Sequence, residues 1–435
     1  MKPYIFQFFF GILIVINQCS INVNTGDLNA IPLEDRIVAQ PTPVSDYPEY
    51  WDAIQHFDFD YINRYDVSDE QRNFVRGLEL SINGEYDDTK ELFSTLFANS
   101  RDSLMRENIA EVLQELLTYD YEWDKLIELD SQLPKGLDED NTVAFAHAFQ
   151  SSMPEQYYFP PEPVLLPTEL SISGVPIIEV MVNGVKQKFW IDTGAEMTVL
   201  ASDIANKCNV TEFKDDIAEL GTSTDIMVES WPGVINEFRI GELTIKNHPT
   251  IIIDKKDLEF KLFKIIRLLK IDGILGWNAI MNLHLEIDYQ NGLTTIKQPK
   301  IVFNPDRNFH FVCVPFLSLT DTLGTPFKFY FDSGAGSTKL YKPGLAKVDT
   351  SNAITKTAII GGAGGTQKVS QTVLPTQSFI LGKHRLNFNK IDAHGDGKKY
   401  FFYFDGIIGS DIAKSGTLII DFQNGRCELI LPVSE

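Results

Sequence analysis

The chain has 435 residues, 43% apolar and 23% charged, a balance that suits large buried cores, and its length suggests two or three domains. Its formal charge of −22 is spread along the chain, which disfavours nucleic-acid backbones and electrostatic attachment to anionic lipid. Four cysteines without CxxC pairs and seven histidines without HExxH spacing argue against zinc sites, iron–sulfur clusters and a disulfide-dense scaffold, and no cofactor is implied.

Met1, Lys2 and Pro3 lead into a mostly apolar run from Tyr4 to Ile16. The run is too short to span a bilayer and matches the apolar region of a secretory signal. A buried first helix is the alternative, but the extreme N-terminal position favours export. Cys19 follows directly and resembles a bacterial lipoprotein attachment cysteine, although Asn17 and Gln18 stand where small residues usually precede one. Residues 1–19 are therefore read as a signal peptide. A lipidated Cys19 that tethers the chain to a membrane and a plain secretory signal both stay open, and either puts the protein in the periplasm or cell envelope. Of the other cysteines, Cys313 and Cys427 lie in the same part of the chain and form a candidate disulfide pair if geometry allows it.

Residues 20–45 are polar and broken by Pro32, Pro41 and Pro43, the pattern of a tether. From 46 to 153, apolar residues recur at three- and four-residue spacing, as in Leu113, Leu116 and Leu117, then Trp123, Leu126 and Ile127. That spacing predicts helices. Gly77, Gly84, Tyr86 and Phe93 resemble the small and aromatic packing positions of one tetratricopeptide unit, with Thr89 where Ala is usual and no clean second copy. A module for a protein partner and a plain helical spacer are both open. Residues 154–167 hold five prolines and are read as a linker. Beyond it the pattern becomes strands, beginning at Ile177 and turning at Asn183-Gly184.

The strand-rich part repeats itself. The string Lys188-Phe189-Trp190-Ile191-Asp192-Thr193-Gly194-Ala195 aligns with Lys328-Phe329-Tyr330-Phe331-Asp332-Ser333-Gly334-Ala335, with the aspartates 140 residues apart. Downstream, Asp272-Gly273-Ile274-Leu275-Gly276 aligns with Asp405-Gly406-Ile407-Ile408-Gly409. Each is followed by a strand and an Asn-Gly hairpin, at Asn291-Gly292 and Asn424-Gly425. Two homologous lobes follow, 168–300 and 301–435, related by a pseudo-twofold axis. One Asp-Thr/Ser-Gly triplet is weak evidence, since it could be a strand end entering a glycine turn. Two of them, each with the same downstream partner, are not.

These motifs resemble those of aspartic proteases, the pepsin-like enzymes and more closely the retropepsins, over residues 167–435. The string Asp192-Thr193-Gly194-Ala195-Glu196-Met197-Thr198-Val199-Leu200 is very similar to a retropepsin active-site string. The resemblance implies a mainly β, two-lobed acid-protease fold with duplicated retropepsin-like β-barrel lobes, here behind an α-helical domain. It also implies catalytic aspartates at Asp192 and Asp332. Thr193 and Ser333 would lock the two loops across the axis, with Gly194 and Gly334 letting them turn tightly.

The chemistry fits. Two carboxylates within about 3 Å cannot both ionise and share one proton. One can then act as base toward water while the other donates to a peptide carbonyl, without metal or covalent intermediate. Flaps are expected near Gly221 and Thr222 in the first lobe and near Gly361, Gly362 and Gly364 in the second. That second run precedes a strand pattern, not a helix, so it lacks the geometry of a phosphate cradle. The expected function is an aspartic endopeptidase acting on polypeptides, monomeric because both aspartates lie in one chain. The alternative is an envelope binding protein that keeps the fold without cleaving.

Overall fold

The computed structural model describes residues 48–133, 141–221, 227–262, 266–302, 304–362 and 365–431. The signal-like run, Cys19 and the tether lie outside the described residues, as do the flap residues Thr222 and Gly364.

Helices come first. Asp69–Asn83 starts at a capping box in which Ser68 Oγ accepts from the Gln71 amide at 3.2 Å and Gln71 Oε1 accepts from the Ser68 amide at 2.9 Å. It ends at Gly84, whose φ of 83° is the left-handed conformation that glycine adopts freely. Tyr86–Asn99 then packs back on it, and Gly77 is the contact point, since a Cβ there would sit 2.0 Å from the Phe93 ring. Thr89, at the position where the repeat pattern has Ala, is fully buried and turns its hydroxyl onto the Glu85 carbonyl at 2.9 Å. The following helix, Ser103–Tyr119, is buried at every residue from Asn108 onward. A helix covered on all sides is packed between layers rather than laid on a surface.

Strands take over at Gln156–Tyr158, which pairs with Thr244, Ile245 and Lys246, and at Val164–Leu170. The proline-rich stretch is therefore not a bare linker. Its prolines at 160, 161 and 163 lie between two strands, and Pro167 sits inside the second, where the pairing passes from Leu293–Ile296 on one side to Pro176–Ile178 on the other.

Two arrangements of strands then repeat. Pro176–Val182 and Val185–Ile191 form a hairpin whose turn residues Asn183 and Gly184 have φ of 47° and 81°. Val185–Ile191 runs into Asp192, and the chain returns along Thr198–Ala201. Gly273–Leu275 fits between these two strands, parallel to the first and antiparallel to the second. The second half does the same: Val314–Asp321 and Pro326–Phe331 are antiparallel, and Gly406–Ile408 lies between Pro326–Phe331 and Lys339–Leu340 with the same pair of directions. The halves meet in a shared layer where His284–Asp288 pairs antiparallel with Thr417–Asp421, Leu285 opposite Ile420 and Ile287 opposite Leu418. That register is what a twofold axis through the layer produces.

Aromatic residues join helices to strands. The Trp277 ring sits among Phe309, Phe311 and Phe422, with centroids 4.7–6.3 Å away. Tyr119 and Tyr86 reach Phe311 from the helices. The candidate pair Cys313 and Cys427 forms no disulfide, and Cys208, Cys313 and Cys427 are buried free thiols. Cys313 has a φ of 60° between Phe309–Val312 and Val314–Asp321, whereas Cys427 lies in Arg426–Ile430 opposite Ile420. Among the described residues, no helix is long and apolar enough to cross a membrane.

Candidate active site

Each aspartate follows a strand end that a neighbouring strand fixes. The Asp192 amide donates to the Leu275 carbonyl at 3.1 Å, and the Asp332 amide to the Ile408 carbonyl at 3.0 Å. The inserted apolar strands thus set the height of both loops. Beyond them, Trp277 N–H donates to the Ala195 carbonyl at 2.6 Å and Ser410 N–H to the Ala335 carbonyl at 2.8 Å.

The two loops interlock. Thr193 N–H donates to Ser333 Oγ at 2.9 Å, and Ser333 N–H donates to Thr193 Oγ1 at 2.9 Å. Each hydroxyl in turn donates across the axis, Thr193 Oγ1 to the Phe331 carbonyl and Ser333 Oγ to the Ile191 carbonyl, both at 3.0 Å. All of these groups are buried, so losing one partner would strand another at a cost of about 1–3 kcal/mol.

This interlock brings the carboxylates to one place. Gly194 N–H donates to Asp192 Oδ1 at 2.9 Å and Ala335 N–H to Asp332 Oδ1 at 2.8 Å. A Cβ on Gly334 would lie 2.3 Å from Asp192 Oδ2, so the Asp192 carboxylate rests against the loop that carries Asp332. Burial holds the Asp332 carboxyl well above the usual carboxylate range, and the nearby Asp192 charge raises it further. The Ala335 amide, the Lys399 ammonium and the Gly334 amide oppose that rise without cancelling it.

Several neighbours escaped the sequence reading. Tyr330 O–H donates to the Gly194 carbonyl at 3.1 Å, bracing one loop from the other half. Burial and the charges of Asp332 and Asp192 keep that phenol protonated. Lys339 is 3% exposed, and burial lowers its pKa to about 8 despite Asp392, Asp332 and Asp411 nearby. Glu196, 7% exposed, lies near Tyr400, whose φ of 53° is uncommon for a bulky residue. Asn278 Oδ1 takes the Thr198 amide at 2.8 Å and hydroxyl at 3.1 Å, and Asp411 Oδ1 takes the same groups of Thr338 at 2.9 and 2.7 Å. Extending the duplicated Gly276 and Gly409 motifs by two residues would have found this pair.

Of the flap residues, Gly221 ends the strand Ala218–Gly221, which pairs with Met227–Ile240. Gly361 and Gly362 close the long hairpin of Ile354–Gly362 and Gly365–Leu374. Both hairpins stand where the duplication places them in sequence.

The sequence model of the aspartyl protease family matches residues 178–279, a stretch that contains Asp192 and Asn278. No curated protein matches the chain. Among solved structures, the chain is similar to a retropepsin-like aspartic protease from Rickettsia conorii, with 20% identity and a TM-score of 0.23 over 33% of this chain and 95% of that one. The strands define a mainly β fold with a helical region in front of it.

Proposed function

We propose that this protein is an aspartic endopeptidase that cleaves polypeptides with Asp192 and Asp332. The observation that carries the reading is the interlock of Thr193 and Ser333, which holds the Asp192 carboxylate against Gly334, two residues from Asp332.

Asp332, which its surroundings keep protonated, donates its proton to the carbonyl oxygen of the peptide. Asp192 takes a proton from water as the water oxygen bonds to the carbonyl carbon. The resulting tetrahedral diol collapses when the amide nitrogen receives the Asp192 proton and a hydroxyl proton returns to Asp332. The C–N bond then breaks, leaving a carboxylic acid and an amine. Neither metal nor covalent intermediate enters this sequence.

The test is cleavage of a peptide library by the full chain and by Asp192→Asn and Asp332→Asn. Each variant should lose about a thousandfold or more of kcat while keeping its melting transition, because asparagine preserves shape but neither shares the proton nor acts as base. Substantial activity in either variant overturns the assignment. Specific activity should also be independent of protein concentration, since both aspartates come from one chain. Export through residues 1–19 belongs to the same proposal and is tested by cell fractionation.

A further inference from the structure

We infer that the helical region is a built-in cap, and that substrate reaches the aspartates only when the helix Ser103–Tyr119 swings away. The inference rests on the proteolytic reading above. Asp192 and Asp332 are 1% and 0% exposed, so neither is accessible in this conformation. The loop that carries Asp192 reaches the helix through Tyr400. Tyr400 Oη lies 2.5 Å from Glu115 Oε1 on the helix and 3.3 Å from Glu196 Oε1, four residues after Asp192 in the same loop. The neighbouring Lys399 stands over the Tyr330 ring at 5.1 Å, and Tyr330 in turn bonds Gly194. One segment, 399–400, therefore links the aspartate loops to the helix.

The rest of the helical layer grips both halves. Asn141–Gln150 packs on Ala218–Gly221 and Met227–Ile240, the hairpin of the first half, and the Phe149 and Phe213 rings meet there at 6.3 Å. On the second half, Phe57 stacks on Phe402 at 4.5 Å and His56 on Tyr403 at 5.1 Å. A polypeptide needs the hairpin to lift or the halves to part. Helices fixed to both oppose either motion. The closed state then predominates, and only the open fraction binds ligand.

The experiment measures three quantities on the full chain. They are kcat/KM on a peptide substrate, affinity for a statine-type peptide by calorimetry, and hydrogen exchange with and without that peptide. Glu115→Ala removes the partner of Tyr400, and Phe57→Ala loosens the opposite edge. Each variant should gain about tenfold in kcat/KM and the same factor in statine affinity, because both scale with the open fraction. In the wild type, the statine peptide should speed exchange across 103–119, a readout that does not depend on how the variants fold. If the statine peptide binds while exchange across 103–119 is unchanged or slowed, the cap is refuted and the protease reading stands. If neither wild type nor variants cleave or bind the statine peptide, the protease reading fails and takes this inference with it.

Discussion

Around Asp192, the amide and hydroxyl of Thr198 share the neutral Asn278 Oδ1, while around Asp332 the same groups of Thr338 share the ionisable Asp411 Oδ1. The backbone geometry on each side is alike, down to the Gly276 amide on Thr198 Oγ1 at 3.3 Å and the Gly409 amide on Thr338 Oγ1 at 3.2 Å. Four residues past each aspartate the halves part again. Glu196 lies by Tyr400 and the helical layer, whereas Gly336 is so close to the Ser173 carbonyl that a Cβ would lie 2.4 Å from it. Hydrogen-bond geometry is thus kept where it positions the aspartates, and charge and bulk diverge where each half meets different neighbours. The helices touch one loop through a side chain and leave the equivalent place on the other loop to the chain itself.

The largest expected effect separates these two kinds of glycine. In Gly334→Ala the new Cβ meets the Asp192 carboxylate, which the Gly194 amide holds in place. A displacement of the carboxylate by about 1 Å should cost roughly a hundredfold in kcat, along with about 1–3 kcal/mol of stability. In Gly336→Ala the clash is with the backbone of 173, so stability should fall by a similar amount while kcat falls by less than about tenfold. Steady-state kinetics and denaturant titration of both variants check this. Equal losses of kcat would mean that the two positions are not distinguished by the aspartates.

The duplicated triplets, the inserted Ile-Leu-Gly and Ile-Ile-Gly strands and the Asn-Gly turns were legible in the sequence, because each imposes a local rule that needs particular residues. Helices before residue 153 were legible from apolar spacing for the same reason. The strand Gln156–Tyr158 was not, since it exists only by pairing with residues 244–246, far along the chain. Tyr330, Glu196 and Tyr400 were hidden differently. A tyrosine in an apolar strand reads as core, and only the fold shows that its hydroxyl reaches the Gly194 carbonyl. The free thiols at Cys313 and Cys427 make the same point, because lying in the same half of the sequence does not bring two residues together.

A smaller effect should follow from exchanging the two polar anchors. Burial raises the Asp411 carboxyl above its ordinary value, offset only in part by the Thr338 donors and Lys414. A carboxyl whose folded pKa exceeds its unfolded one contributes stability at low pH and loses it as pH rises through the folded value. Asp411→Asn keeps the acceptor for Thr338, as Asn278 does for Thr198, and removes that loss. The variant should melt about 1 °C above the wild type at pH 7–8, for a gain near 1 kcal/mol, with the difference shrinking toward pH 4. The reverse change, Asn278→Asp, should lower the melting temperature most at high pH. Melting curves across that range decide it, and a pH-independent difference in either variant would show that ionisation is not what separates the anchors.

The smallest effect concerns a feature the halves share. The residue after each glycine is Ala195 or Ala335, where pepsin-like lobes resembling these usually carry a hydroxyl residue. The Ala335 amide already touches Asp332 Oδ1 at 2.8 Å, so a hydroxyl on that residue is within reach of the same carboxylate. Hydrogen bonds to the charged form lower a carboxyl pKa, and alanine withholds one from each side. The −22 net charge acts in the same direction, because a negative surroundings favours the protonated acid. Both push the shared proton toward higher pH, and burial of Asp332 adds to them. The activity maximum should therefore be mildly acidic, about pH 5–6, rather than the strongly acidic range of pepsin-like dyads. The double variant Ala195→Ser with Ala335→Ser should move the acidic limb downward and raise relative activity roughly threefold one pH unit below the optimum. Serine in one half alone should give part of that shift, and Ala195→Ser should give more than Ala335→Ser, since the acidic limb is the protonation of Asp192, the base of the proposed mechanism. The pH–rate profiles of the three variants measure this, and an unchanged limb in the double variant would mean that the missing hydroxyls do not set it.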